Sequence, residues 1–474
     1  MKALFFRPWR WRPCRVILCA AALCLTALPA CAHAFGRPYD LPIPLAVYLV
    51  GAGLMVVFSF AIAALALRRA ALAHNIVEHR VGLPFPVVWQ CAAVALFVLV
   101  IVAGLWGRQS TFKNIAPLAV WVAFWAGLSL VCGFVGDVWV VINPWAVLHG
   151  WAEKLTRRTL SLNRSPPPWL GAWPAVVLFL GFAWCELLWE ESGHPRELAA
   201  LLLLYSLLSW TGMALFGRAA WLRTGEIFAI AFAQFGRFAP LSFTCENGRA
   251  WVALRPYAMG LLRDVPYAPA RGVFLIVMLA TVTFDGLSET PEWGALLRAL
   301  SPWGTHAMLL ATAGLLILPV IFAAGFIVTV WLCRAFAGSG ESLVRLCGFF
   351  VPTLLPIALA YHLAHNLSFL ILGLQYMVPL VSDPFGFGWD LFGTSLYLVD
   401  PSLVSAKLIW TVALIAIVVG HVAAVYLAHV VALRVFSRAV ATRSQLPMLA
   451  LMVAYTMTSL WILAQPVTNA RTGG

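Results

Sequence analysis

The chain has 474 residues, of which 62% are hydrophobic and only 10% are charged, and its mean hydropathy is +0.91. This composition excludes an ordinary soluble domain. The formal net charge of +13 is spread over short basic clusters between apolar segments, so it indicates membrane topology and not a nucleic-acid partner.

The N-terminus has the pattern of an export signal. Five basic residues precede an apolar core, which ends at the small-residue motif Ala32-His33-Ala34. This order is typical of a cleaved secretory signal peptide. We therefore predict that residues 1–34 are removed and that residues 35–474 form a single integral membrane domain.

Ten apolar segments of the mature chain are long enough, or nearly so, to cross a bilayer as helices. The sequence therefore predicts an all-α polytopic membrane protein with about ten transmembrane helices. The predicted segments are 44–67, 87–106, 115–141, 173–189, 197–217, 269–287, 306–333, 348–373, 405–433 and 446–465.

Basic residues set the predicted orientation. They follow each odd-numbered segment, which places those ends in the cytoplasm and both mature termini outside. Two connecting regions stand out. Residues 218–268 are predicted to be cytoplasmic, with a re-entrant or interfacial helix in an apolar stretch interrupted by Glu226, and residues 375–404 are predicted to be an extracytoplasmic lid loop.

Few ionisable residues fall inside the apolar segments, where each costs a few kcal/mol and by default has a partner or a function. In AYHLAHN, His362 and His365 are one helical turn apart and share a face. His421 lies in the next segment, Asp285 in TVTFDG and Glu186 in FAWCELLWE. Counting the rise per residue places all five in the middle or outer half of the membrane.

Imidazoles and carboxylates around one cavity are the ligands that zinc, iron or manganese takes. We therefore predict a divalent transition metal held by His362, His365, His421 and Asp285, with Asp285 and Glu186 as catalytic groups. A metal-bound water would then be the nucleophile. The sequence contains no Walker loop or Rossmann fingerprint, and we predict no nucleotide cofactor.

Three other interpretations use the same residues. The histidines and carboxylates could relay protons or metal ions in a transporter, or two histidines on adjacent helices could be axial ligands of a haem. A histidine inside a membrane also often does no more than hydrogen-bond to a neighbouring helix. His429, one turn before Arg434, is predicted to be an interfacial residue.

A family of bacterial integral membrane proteins labelled fenitrothion hydrolase is resembled by seven motifs together: AFGRPYDLPIPL, GDVWVVINPW, FGRFAPL, ATVTFDGLSETPEW, PIALAYHLAHNLSFL, GHVAAVYLAH and YTMTSLWILAQP. The resemblance covers nearly the whole mature chain. It implies a bacterial membrane protein that cleaves the P–O aryl bond in small apolar organophosphorus triesters. The orientation set by the basic residues and the depth of the candidate residues predict an inner-membrane site that faces the periplasm. Asp285, His362, His365 and His421 are the matching residues, and the resemblance assigns no catalytic role to any of them.

Overall fold

The computed structural model describes residues 42–66, 80–246, 249–262, 265–300 and 306–465. The predicted signal peptide lies outside these residues. The described chain is mostly helical, as predicted, and nine of its helices are long and apolar enough to cross a membrane. Those nine are Leu45–Ala66, Pro86–Trp106, Ile115–Phe134, Pro195–Phe216, Pro269–Ser288, Ala307–Ala337, Leu343–Ser382, Ala406–Val435 and Arg438–Leu463.

The helices are numbered here in chain order. They are α1 Leu45–Ala66, α2 Pro86–Trp106, α3 Ile115–Phe134, α4 Trp139–Ile142, α5 Pro144–Thr156, α6 Trp173–Leu187, α7 Pro195–Phe216, α8 Arg218–Thr224, α9 Ile227–Gly236, α10 Pro269–Ser288, α11 Pro291–Leu300, α12 Ala307–Ala337, α13 Leu343–Phe350, α14 Leu355–Ser382, α15 Ala406–Val435, α16 Arg438–Ser444 and α17 Leu446–Leu463.

The fourth predicted span, 173–189, is the short helix α6 of 15 residues. At 1.5 Å per residue it covers only about 22 Å, less than the roughly 30 Å hydrocarbon core. It nevertheless runs parallel to α10: Gly171 lies against Ala270 at one end, and Glu186 and Asp285 line one cavity at the other. The two carboxylates therefore share a level in the bundle.

Helix α3 contains a ten-residue π-helix, Ala119–Leu128, between two α-helical ends. Its sequence, AVWVAFWAGL, gives no proline or polar residue that would have predicted this geometry. Such segments are rare and often occur at functional sites. Trp125, near the midpoint of α3, is part of this segment.

The region predicted as cytoplasmic, 218–268, contains both helix and sheet. Helix α9 is buried over most of its length and packs inside the bundle. A three-stranded antiparallel sheet, which the sequence analysis missed, follows in the order β1–β3–β2. Its strands are β1 Arg80–Gly82, β2 Leu241–Glu246 and β3 Arg249–Leu254.

The helix that carries AYHLAHN is interrupted at its beginning and is longer than predicted. A 3-10 turn, Val351–Leu354, separates α13 from α14 and contains Pro352, because proline removes a backbone donor from the helix. Helix α14 then continues to Ser382. The predicted lid loop therefore begins at residue 383 and not at 375.

Candidate active site

His365 and Asp285 form an ion pair between α14 and α10. The His365 Nε2–H donates to Asp285 Oδ2 over 2.8 Å. The side chains retain 15% and 27% of their exposure, so the pair is neither sealed in the core nor open to bulk solvent. The pairing arises because the second histidine of AYHLAHN faces the last turns of α10, where TVTFDG ends.

Glu186 completes a cluster of three titratable side chains. It lies close enough to Asp285 and His365 for their charges to interact, and Trp125 is its hydrogen-bonding neighbour. Glu186 and Asp285 line one cavity, together with Trp125, His362 and Asn366 on its polar side. Phe179, Phe235, Met278 and other apolar side chains form the rest of its wall.

The cavity is small. The space open to the centre of a water molecule is about 20 Å³, which is enough for about one water. Two carboxylates that face one water-sized space are placed to hold and polarise that water.

His362 borders the same cavity but makes different contacts. Its Nε2–H donates to the Ala126 carbonyl over 3.3 Å, and its ring packs edge-on against Trp125 with centroids 5.7 Å apart. Asn366 Nδ2 donates to the His362 carbonyl over 3.0 Å. His362 therefore ties α14 to the π-helix of α3 and is not the partner of Asp285.

His421 is buried on α15, away from the Asp285–His365 pair. Its Nδ1–H donates to the Ile417 carbonyl over 2.8 Å, and its ring lies 5.6 Å from that of Tyr455 between centroids. His421 is not among the residues that line the cavity. His429 is buried against Phe60 because the helix face it occupies packs on α1, and its interfacial level in the membrane stays a prediction.

The four predicted metal ligands do not meet at one point. Within the described parts of the chain, no group of three or more His, Cys, Asp or Glu side chains is arranged to hold a metal ion. His362 and His365 each use Nε2 on a protein oxygen, and His421 faces Tyr455. The donor set as it stands does not fit a metal, and the metal stays a prediction.

A second buried carboxylate, Glu226, has the opposite surroundings. It is fully buried at the start of α9 and accepts five hydrogen bonds. Three come from side chains on α4, on α7 and at the N-cap of α5, and two come from backbone amides in the first turn of α9. The donors are Tyr205 Oη at 2.7 Å, Asn143 Nδ2 at 2.8 Å, Trp139 Nε1 at 3.3 Å, Phe228 N at 3.0 Å and Ala229 N at 2.8 Å.

The sequence predicted Asp285, Glu186 and His365 as site residues, but not Trp125 and Asn366. Asn366 follows His365 directly in AYHLAHN, so its polarity inside an apolar helix was a usable signal. Trp125 carried no such signal, because its role depends on the π-helix.

Comparisons with protein-family models, curated proteins and solved structures returned no match.

Proposed function

We propose that this chain is a membrane-integral hydrolase that cleaves small apolar esters with a water held between Asp285 and Glu186. The observation that carries the proposal is the Asp285–His365 ion pair at 2.8 Å beside a second carboxylate on a water-sized cavity. The P–O aryl bond of an organophosphorus triester is the substrate bond that the motif resemblance implies.

Asp285 is the proposed general base. One carboxylate oxygen accepts from His365, which fixes its orientation, and the carboxylate borders the cavity. A base placed within reach of a water typically contributes a rate factor of about 10²–10⁴. His365 is a positioning residue, since it acts through Asp285.

Glu186 is the proposed general acid. Two carboxylates at one site rarely both ionise, so Asp285 and Glu186 share one proton. Glu186 holds this proton because it is not paired with a histidine. Trp125 orients the Glu186 side chain.

In the proposed reaction, Asp285 takes one proton from the water, and the water oxygen forms a bond to phosphorus. The P–O aryl bond breaks, and Glu186 gives its proton to the departing aryl oxygen. The products are a dialkyl phosphoric or thiophosphoric acid and a phenol. A proton then passes from Asp285 to Glu186, through water, to reset the site.

The surroundings favour an apolar substrate. Phe179, Phe235 and Met278 line the cavity, and the site lies at the level of Trp125, near the middle of α3. An ester dissolved in lipid meets such a site without crossing water. Because the cavity holds about one water, the substrate must displace part of this apolar wall. We also propose the orientation set by the basic residues, with the site in the inner membrane of a bacterium and facing the periplasm.

The test is nitrophenol release from a nitrophenyl dialkyl phosphate by purified protein in detergent. We expect Asp285→Asn to lower kcat/KM by about 10²–10⁴-fold. The matched control is Glu153→Gln, which alters a carboxylate paired with His149 on α5 and outside the cavity lining. Equal activity in the Asp285→Asn variant and the wild type would overturn the proposal.

Metal content is a separate question, and elemental mass spectrometry of the purified protein addresses it. A bound ion that is lost in His362→Ala/His365→Ala would restore the predicted metal site. Activity retained after treatment with a strong chelator would support hydrolysis by side chains alone.

A proton-linked transporter is the second candidate, and one observation favours it. Beyond the cavity, Thr283 and Tyr455 share a hydrogen bond of 2.6 Å between hydroxyls, and Tyr455 packs beside His421. The Tyr361 hydroxyl and His421 Nε2 are buried without a hydrogen-bond partner in the described part of the chain. Together these groups extend the polar region from Asp285 across α10, α14, α15 and α17.

Proteoliposomes separate the two candidates. A pH-sensitive dye trapped inside would report proton movement that His421→Phe abolishes if the chain is a transporter. The hydrolase proposal predicts no proton movement in the absence of ester, and release of acid only on the face of the membrane where the ester is cleaved.

A further inference from the structure

The loop of residues 383–405, which joins α14 to α15, is fixed to the bundle at both of its ends. Its Phe385 carbonyl accepts from Arg108 N over 2.8 Å. Near its other end, the Gln375 side chain accepts from Asp400 N over 2.9 Å. The loop therefore has a defined shape and a defined position beyond the ends of two spanning helices.

The carboxylates of this loop are hydrogen-bonded to the loop's own backbone. Residues 383–405 contain three aspartates and no lysine or arginine, and each aspartate accepts hydrogen bonds from the loop's own backbone. The donors are Phe387 N and Gly388 N to Asp383, Ser395 N to Asp390, and Ser402 N to Asp400. The Ser395 amide also holds the pKa of Asp390 below its usual range.

Large apolar side chains are turned outward. Leu396 is 89% exposed and Leu398 is 86% exposed, which is the reverse of a loop that faces water. Other exposed apolar side chains of the same loop are Phe387, Trp389, Leu391, Phe392, Tyr397 and Leu403.

We propose that the outward face of loop 383–405 inserts into the interfacial region of the lipid bilayer. Three observations support lipid as the occupant. The loop begins where α14 ends and finishes where α15 begins, so it lies at the membrane surface. Its outward residues are the mixture of leucine, phenylalanine, tryptophan and tyrosine that membrane interfaces favour. Each of its carboxylates accepts at least one hydrogen bond from a backbone amide, which lowers the cost of bringing it near the lipid headgroups.

This inference does not rest on the proposed function. Insertion of the loop fixes the end of α14, the helix that carries His362 and His365, relative to the membrane surface. Loss of hydrolase activity would leave it unaffected.

Site-directed labelling tests the inference directly. The native cysteines are replaced by alanine, and single cysteines are introduced as Leu396→Cys and, in a second variant, Leu398→Cys. Each is labelled with an environment-sensitive fluorophore and reconstituted in vesicles that contain lipids with a nitroxide near the headgroup or deep in the acyl chain. Lys113→Cys is the matched control, because Lys113 is exposed on the turn to which the loop is anchored.

We expect headgroup-level nitroxide to quench the label at positions 396 and 398 several-fold more than aqueous iodide does, and the reverse at position 113. Quenching by iodide at positions 396 and 398 would overturn the proposal, since the loop would then face water. Protection from both quenchers, together with disulfide cross-linking between two copies of the Leu396→Cys variant, would also overturn it, because a second copy would cover the face.

Discussion

Two regions of this bundle bury carboxylates in opposite ways. Glu226 accepts five hydrogen bonds and is fully buried at the start of α9. Asp285 accepts one hydrogen bond, from its ion-pair partner His365, and lines the same cavity as Glu186. Glu226 has no hydrogen-bonding capacity left for a ligand, whereas Asp285 and Glu186 face a space that holds about one water.

The difference is the one expected between a structural carboxylate and a reactive one. A buried charge satisfied by fixed donors holds elements together, and Glu226 joins α4, α7 and the N-cap of α5 to α9. A carboxylate with spare acceptor capacity beside a second acid can exchange protons. The membrane depth predicted from the sequence does not distinguish the two cases, but the number of hydrogen-bond donors around each carboxylate does.

The largest expected effect comes from Asp285→Asn. It removes the proposed base while keeping shape and the contact with His365, so kcat should fall by about 10²–10⁴-fold. The thermal unfolding midpoint in detergent should stay within a few degrees of the wild type. A large drop in that midpoint with normal turnover would assign Asp285 to the structural class instead.

Glu226→Gln should produce the reverse pattern. Two donors meet Oε1 and three meet Oε2, so at least two lose their acceptor whichever oxygen becomes the NH₂ group. Each buried donor left unpaired costs about 1–3 kcal/mol. The unfolding midpoint should drop clearly, while turnover per folded molecule is retained. An unchanged midpoint would contradict the structural role.

Glu186→Gln sharpens the assignment of the acid. We expect a loss of about 10-fold with a nitrophenyl leaving group and about 100-fold with an unsubstituted phenyl group, since the poorer leaving group needs the proton more. Steady-state rates with both esters measure the difference. Equal losses for the two leaving groups would remove Glu186 from the role of general acid.

The two histidines of AYHLAHN should differ although they share a helix face. His365→Gln removes the partner of Asp285 and should shift the pH–rate profile as well as lower kcat about 10-fold. His362→Gln should change kcat less than about threefold, because His362 bonds the Ala126 carbonyl and not Asp285. Parallel losses in both variants, with loss of a bound ion, would favour the metal site.

The smallest expected effect is a loss of stability of loop 383–405 at acid pH. The folded-state pKa of Asp390 is depressed by the Ser395 amide, so the carboxylate stabilises the loop above its ordinary pKa of about 3.9 and loses this effect as pH falls below it. Hydrogen exchange at the Ser395 amide should accelerate below about pH 4. In the Asp390→Asn variant, the Ser395 amide should exchange at a rate independent of pH in that range, after correction for intrinsic exchange.

The sequence predicted the helical class and most of the spanning segments because hydropathy alone encodes them. It also predicted that Asp285 and His365 lie at similar depth, which the ion pair confirms. It did not predict that α6 has only 15 residues, because the apolar stretch continues beyond the point where the helix ends at Leu187. Depth counting gives height in the membrane and not rotation about the helix axis, so it grouped His362 and His421 with residues they do not contact.

The π-helix and the small sheet mark another limit. Trp125 reaches Glu186 from a segment whose composition is that of any apolar helix. The strands pair residues 80–82 with residues 251–253, a distance in sequence that no local pattern reveals.

Infrared spectroscopy of the purified protein at neutral pH tests the contrast between the two carboxylate regions most directly. A protonated carboxylic acid has a C=O stretch that an ionised carboxylate lacks, and this band shifts in D₂O. We expect one such band to disappear in Glu186→Gln and to persist in Glu226→Gln. A band that is lost in Glu226→Gln and kept in Glu186→Gln would contradict the account, because the donor-rich carboxylate would then be the one that holds a proton.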